Sequence, residues 1–133
     1  MKAFIDTNIL IACERGQLDL EQMVASHGDS LIFLSVISAS ELLHGVHRAG
    51  DKRIRTRRLA FVERILSCVK ILDIDISTAR IHSKLWSDLA KEGELIGAHD
   101  LWIAASALAN NCSLVTRNVR EFERVPGLQV IEW

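Results

Sequence analysis

Two short, almost uninterrupted apolar runs, KAFI at residues 2–5 and LIFLSV at 31–36, constrain this chain more than any other feature. Each is too short for a stable helix and is bounded by polar or turn-forming residues, the pattern of a strand covered on both faces. Such strands belong to parallel sheets with helices packed above and below. The intervening segments repeat apolar residues at three and four positions, which predicts helices over 8–15, 18–27, 38–49, 51–67, 77–91 and 98–109. Further strands are expected over 69–74, 113–116 and 129–133. Strands alternating with helices make an α/β fold: a three-layer sandwich with a mainly parallel central sheet of about five strands flanked by helices.

The punctuation agrees with that division. Gly16 suits the left-handed residue that closes the first helix, and Gly28, Asp29 and Ser30 read as a turn. Ser38 and Glu41 have the S-x-x-E spacing of a capping box, and Ser77 or Thr78 is a suitable cap for the later helix. In the 51–67 helix, Ile54, Leu59, Phe61, Val62, Ile65 and Leu66 are expected to cover the sheet while the arginines face outward. Trp86 is expected on the apolar face of the 77–91 helix, and Trp102 in packing.

At 133 residues and 49% hydrophobic, the chain can bury a core as one domain, 1–133. No apolar run approaches the roughly 18 residues of a membrane span, and no Lys/Arg-led apolar leader opens the chain. A cytoplasmic location is therefore the expectation. Cys13, Cys68 and Cys112 are widely separated with no C-x-x-C pair, which points to apolar core residues rather than disulfides or zinc.

Charge is unevenly spread. Between Asp51 and Lys70 stand Lys52, Arg53, Arg55, Arg57, Arg58, Arg64 and Lys70 against only Asp51 and Glu63, although the whole chain is formally −1. This is the evident positive surface for a nucleic acid, and read alone it is equally a solvated helix face. The acids fall differently. Asp6 directly follows the first strand, Glu41 and Asp100 open later helices, and Asn118 with Glu121 follows the fourth strand. In a parallel sheet these positions share the carboxyl-end side, where α/β folds bind ligands. Each acid has a bland explanation: Asp6 and Asp100 as helix-start residues, Glu41 in its capping box, Glu121 as a surface acid beside Arg117, Arg120 or Arg124. Together they make a repelling cluster that a cation would relieve. Oxygen-only donors suit Mg²⁺ or Mn²⁺, whose chemistry matches phosphodiester hydrolysis.

At these residues the sequence resembles the PIN-domain ribonucleases, and more narrowly the VapC-type toxins of toxin-antitoxin pairs. The resembling blocks are IDTNIL at 5–10, SVISASELLHG at 35–45, IGAHDLWIAASAL at 96–108 and LVTRNVREFERVPGLQVIEW at 114–133. The resemblance implies a PIN-like sandwich and a Mg²⁺-dependent endoribonuclease acting on RNA such as tRNA or rRNA. It also implies a homodimer and a VapB-type antitoxin partner whose basic tail enters the acidic crevice. Carried over, Asp6, Glu41 and Asp100 match the family's first three acids and are the expected metal residues, Asp6 and Asp100 in direct contact, while Glu41 with Glu121 is expected to position or deprotonate the attacking water. Thr116 matches the supporting hydroxyl residue, and Thr7 and Asn8 are expected to support the site beside it. Asn118 stands where some members have Asp; Glu121, before Phe122, is taken as the fourth acid and Asn118 as its polar neighbour. Lys52, Arg53, Arg55, Arg57 and Arg58 would steer RNA.

Two other classes fit parts of the pattern. A phosphoaspartyl-type phosphatase also places an Asp after its first strand but wants a second two residues on, where this chain has Asn8. A catalytically silent RNA- or protein-binding module would keep the fold and bind without metal-dependent cleavage.

Overall fold

The structure, a computed structural model, describes residues 2–26 and 31–133. In chain order it comprises β1 (Lys2–Ile5), α1 (Thr7–Glu14), α2 (Leu20–Ser26), β2 (Leu31–Ser35), α3 (Val36–Arg48) and α4 (Lys52–Cys68). There follow β3 (Lys70–Leu72), α5 (Ile76–Lys91), α6 (Ala98–Ala109), β4 (Ser113–Val115), α7 (Val119–Phe122) and β5 (Val130–Ile131). The five strands form one sheet in the order β3-β2-β1-β4-β5, and every pairing is parallel. The chain begins at the centre, builds outward through β2 and β3, then crosses back to add β4 on the other side of β1. That reversal makes the β1/β4 seam the topological switch point, the place where α/β sheets open a crevice at their strand ends.

The expected α/β sandwich is therefore present, with a sheet parallel throughout. Its centre is β1, where Ala3, Phe4 and Ile5 are all buried. Because side chains alternate across a sheet, Phe4 and Leu114 enter one core with Leu85, Leu89, Ile103 and Phe122, beneath α5, α6 and α7. Ala3, Ile5 and Val115 enter the other, with Ile9, Leu42, Val46, Val62 and Ile65 beneath α1, α3 and α4. The alanines of α6, at 104, 105 and 107, are fully buried and let the helix lie close on the sheet.

Several expectations change. The Ser38–Glu41 capping box does not form: α3 begins two residues earlier, and Ser35 is its cap, accepting from the Ile37 N–H at 3.0 Å. The strand-to-helix turn is tighter than the sequence pattern implied, so Ser38 lies inside the helix, wholly buried, and Glu41 sits in the second turn. Likewise α5 is capped by Asp75, whose Oδ1 accepts from the Thr78 N–H and hydroxyl, both at 2.9 Å. Ile54 and Leu59 do not cover the sheet; each is 42% exposed, because α4 turns only its later half inward. Trp86 is 56% exposed, and Cys68 is exposed rather than in the core. Trp102 does pack, its ring stacked on His82 at a centroid distance of 3.5 Å. Gly16, at φ +74°, closes α1 as expected, and Asn111 closes α6 in the same left-handed region at φ +54°. The expected turn at Gly28, Asp29 and Ser30, and the expected helix end at His27, lie outside the described residues.

Candidate active site

The crevice at the β1/β4 seam is built by the segments that follow β1, β2 and β4 and by the start of α6. Asp6 ends β1 and caps α1, so its earlier bland reading holds as one of two functions: Oδ1 accepts from the Thr7 N–H at 2.8 Å. Its own N–H continues the ladder to the Val115 carbonyl at 2.9 Å. The other oxygen, Oδ2, accepts from Thr116 Oγ1 at 2.7 Å. Thr116 in turn accepts from Asn8 Nδ2 at 3.2 Å and the Asn118 N–H at 2.9 Å, and Asn8 Oδ1 accepts from the Arg117 N–H at 3.2 Å. Asp6, only 5% exposed, is thus held on both oxygens by neutral donors.

The other acids surround it. Thr7 Oγ1 donates to Glu41 Oε1 at 3.0 Å, which ties the second turn of α3 to the start of α1 across 34 positions of sequence. His99 Nδ1 stands 3.9 Å from the other Glu41 oxygen. Glu121 Oε1 accepts from the Gly97 N–H at 2.9 Å, and its other oxygen accepts from Asn118 Nδ2. A side chain at Gly97 would press on this arrangement, since a Cβ there would lie 3.5 Å from Asp100 Oδ2 and 3.8 Å from Glu121 Oε1. No sequence signal marked the Gly97 amide as a partner of Glu121, because the two belong to loops 24 positions apart.

Electrostatics follow from this crowding. Burial, then Asp6, Glu121 and Glu41 in turn, push the Asp100 carboxyl up to about 7. Asp6 is also raised, chiefly by burial and against the pull of its bonds to Thr116 and Thr7. Glu121 moves the other way, held down first by the Gly97 N–H and then by hydrogen bonding to Asn118 and Asp100, against the effect of burial. The crevice therefore contains carboxylates that cannot all ionise without help.

Among the described residues no three His, Cys, Asp or Glu side chains form a ready-made cation cage. The oxygen donors nonetheless fit a hard divalent ion of the Mg²⁺ kind, which keeps several waters and needs only one or two carboxylates. Neutralising the excess charge that raises Asp100 is what such an ion would do.

Of the basic residues expected to meet RNA, Lys52, Arg53 and Arg57 have exposed side chains that make no hydrogen bond or ion pair among the described residues. Arg55 is spent on the Ala49 carbonyl through Nε and Nη2, at 3.1 and 3.0 Å. Arg58 pairs with Glu14 at 2.8 Å and donates to the Gly45 carbonyl at 3.1 Å.

The fold is an all-parallel α/β sandwich with acids gathered at its switch point. Residues 3–128 match the PIN domain, and the chain belongs to the PIN-domain family. It is 38% identical over 131 residues to Ribonuclease VapC1 of Rickettsia felis, spanning 98% of this chain and 96% of that protein. It is 30% identical to the tRNA(fMet)-specific endonuclease VapC of Salmonella typhimurium over 100% of this chain and 98% of the relative. Its fold matches the crystal structure of DNA-bound VapBC from Salmonella typhimurium with a TM-score of 0.90 at 29% identity, covering 100% and 98% of the two chains. VapBC2 from Rickettsia felis, bound to a promoter DNA fragment, matches with a TM-score of 0.88 at 30% identity over 100% and 99%.

Proposed function

We propose that this chain, as one PIN-like domain over residues 1–133, is a Mg²⁺-dependent endoribonuclease and the toxin of a type II toxin-antitoxin pair. The observation that carries this reading is Asp6: a buried carboxylate oriented on both oxygens and faced by Asp100, whose ionisation waits on added positive charge. Ribonuclease names among full-length relatives, and VapBC complexes among its structural likenesses, support the same assignment.

Asp6 and Asp100 would hold Mg²⁺, or Mn²⁺ in its place, with Glu41 beside them. Bound there, the ion would lower the pKa of a water and neutralise charge growing on the phosphoryl oxygens. Glu41, fixed by Thr7, and Glu121, fixed by Gly97 and Asn118, would orient a water and accept its proton as the water oxygen bonds to the scissile phosphorus in line, the bond to the ribose oxygen on the opposite side breaks, and that oxygen takes a proton from solvent. Thr116 keeps Asp6 in place while Asn8 and Asn118 keep Thr116 in place. Asn8 is committed to Thr116 and Arg117, which leaves no second acid for a phosphoaspartyl phosphatase. Lys52, Arg53 and Arg57 supply unpaired positive charge for RNA, and the tRNA specificity in the name of the Salmonella relative favours a structured RNA such as tRNA over rRNA. The partner is a VapB-type antitoxin, the assembly a homodimer and the setting the cytoplasm. No helix among the described residues is long and apolar enough to cross a membrane.

The test is Asp6→Asn. It should abolish metal-dependent cleavage of RNA while circular dichroism and melting temperature stay near those of the parent; undiminished cleavage sinks the proposal.

A further inference from the structure

A cleft of about 270 Å³ opens beside Glu41 between α1, α3 and α4, lined by Glu14, Arg15, Gly45, Arg48 and Arg58 among others. Its charges are unequally committed. Glu14 is neutralised by Arg58, and Glu41 is bound by Thr7. The side chains of Arg15 and Arg48 are exposed and have no hydrogen bond or ion pair among the described residues, so the cleft carries two uncommitted guanidiniums. These residues lie outside the basic run at 52–58 and were not marked by it.

Gly45 adds an independent observation. A glycine inside a helix weakens it relative to alanine, because the backbone loses more freedom on folding. Here no packing repays that cost: a Cβ at Gly45 would meet nothing within 4 Å. Nor does a left-handed conformation require it, since Gly45 is not among the glycines of positive φ. Its carbonyl is among the last four of α3, which have no helical N–H partner, and Arg58 Nη1 donates to it. The bare backbone thus forms a smooth floor with Arg58 locked into its wall, the kind of surface a ligand backbone can approach closely.

We propose that this cleft seats one backbone phosphate of the RNA strand just outside the scissile bond, held by Arg15 and Arg48 over the Gly45 floor. The inference rests on the ribonuclease reading, which puts the scissile phosphate at the acids, of which Glu41 also lines this cleft. Guanidiniums suit a phosphate because their planar donors match its oxygens. The pair Glu14–Arg58 sets the wall without cancelling the free charge.

The test uses the full chain carrying Asp6→Asn, so that RNA survives, and a labelled single-stranded RNA oligonucleotide titrated at several salt concentrations. Arg15→Gln and Arg48→Gln should each weaken binding about five- to tenfold, and the double variant should reduce the log–log salt slope by about 0.7, the value for one phosphate contact on a single strand. Gly45→Ala should weaken binding similarly while melting temperature holds or rises, a combination that a structural role for Gly45 does not produce. Unchanged RNA affinity and salt slope in the Arg15→Gln/Arg48→Gln double variant overturn the assignment, as does loss of antitoxin capture alone with RNA affinity intact. Failure of the ribonuclease reading is a separate outcome, seen as absence of metal-dependent cleavage by the parent protein.

Discussion

Thr116 Oγ1 donates to Asp6 Oδ2 at 2.7 Å although 110 positions separate the two residues, and this bond joins the ends of β1 and β4 at the deepest point of the crevice. The hydroxyl accepts from Asn8 and Asn118 at the same time, so one oxygen ties the β1–α1 turn to the β4–α7 turn. Thr116→Val keeps the shape and removes all three bonds. It should cost about 1–3 kcal/mol, because buried donors and Asp6 lose their partner. It should also weaken Mn²⁺ binding about tenfold, the lower end for loss of a group that orients a ligand. Thr116→Ser should restore most of both. Urea denaturation with a Mn²⁺ titration checks the pair of effects.

Asp100 makes the metal-free fold sensitive to pH. Its folded-state carboxyl titrates at about 7, well above its ordinary 3.8, so it favours the fold while protonated. That contribution is complete below the ordinary value and is lost as pH rises through about 7. In chelator, Asp100→Asn should therefore be more stable than the parent at about pH 8, by on the order of 1–2 kcal/mol after allowing for solvent screening of a half-buried group. Divalent cation should reverse the order, and its binding near pH 6 should release a proton in the parent but less in the variant. Melting curves with and without chelator, and calorimetry in buffers of different ionisation heat, decide it.

His82 opposes this trend on the acid side. Its buried ring, stacked at 10° on Trp102, has its pKa held below the ordinary value by desolvation. The folded state therefore prefers the neutral imidazole, and its contribution is present above about 6.5 and lost as pH falls through the lower folded value. His82→Phe retains the stack and removes the titration. The fall in melting temperature between about pH 7 and pH 5 should be smaller in the variant than in the parent; identical slopes refute the assignment.

The start of α3 separates two readings of the same sequence. A capping box predicts that Ser38→Ala costs about 1 kcal/mol. In the structure Ser38 Oγ is buried without a partner among the described residues, while Ser35 is the cap. Ser38→Ala should therefore be neutral or stabilising by up to about 1 kcal/mol, and Ser35→Ala should cost about 1 kcal/mol. Thermal denaturation of both variants provides the comparison.

Much of this architecture was legible in the residues alone because it depends on local pattern. Short apolar runs bounded by turns specify covered strands, three-and-four spacing specifies helices, and the order of the two implies a parallel sheet whose strand ends collect Asp6, Glu41, Asp100 and Glu121. What pattern could not reach was which group satisfies which. The cap of α3 moved from Ser38 to Ser35 because the strand runs into the helix without a spacer. Arg58, one of a basic run in sequence, became part of a wall because Glu14 and the Gly45 carbonyl lie opposite it. The links from Thr116 to Asp6 and from Gly97 to Glu121, and the raised ionisation of Asp100, exist only once distant loops are brought within hydrogen-bonding range and water is excluded. Local chain chemistry determined the elements and their order; long-range packing decided the partners, because desolvation and hydrogen-bond geometry are properties of neighbours in space.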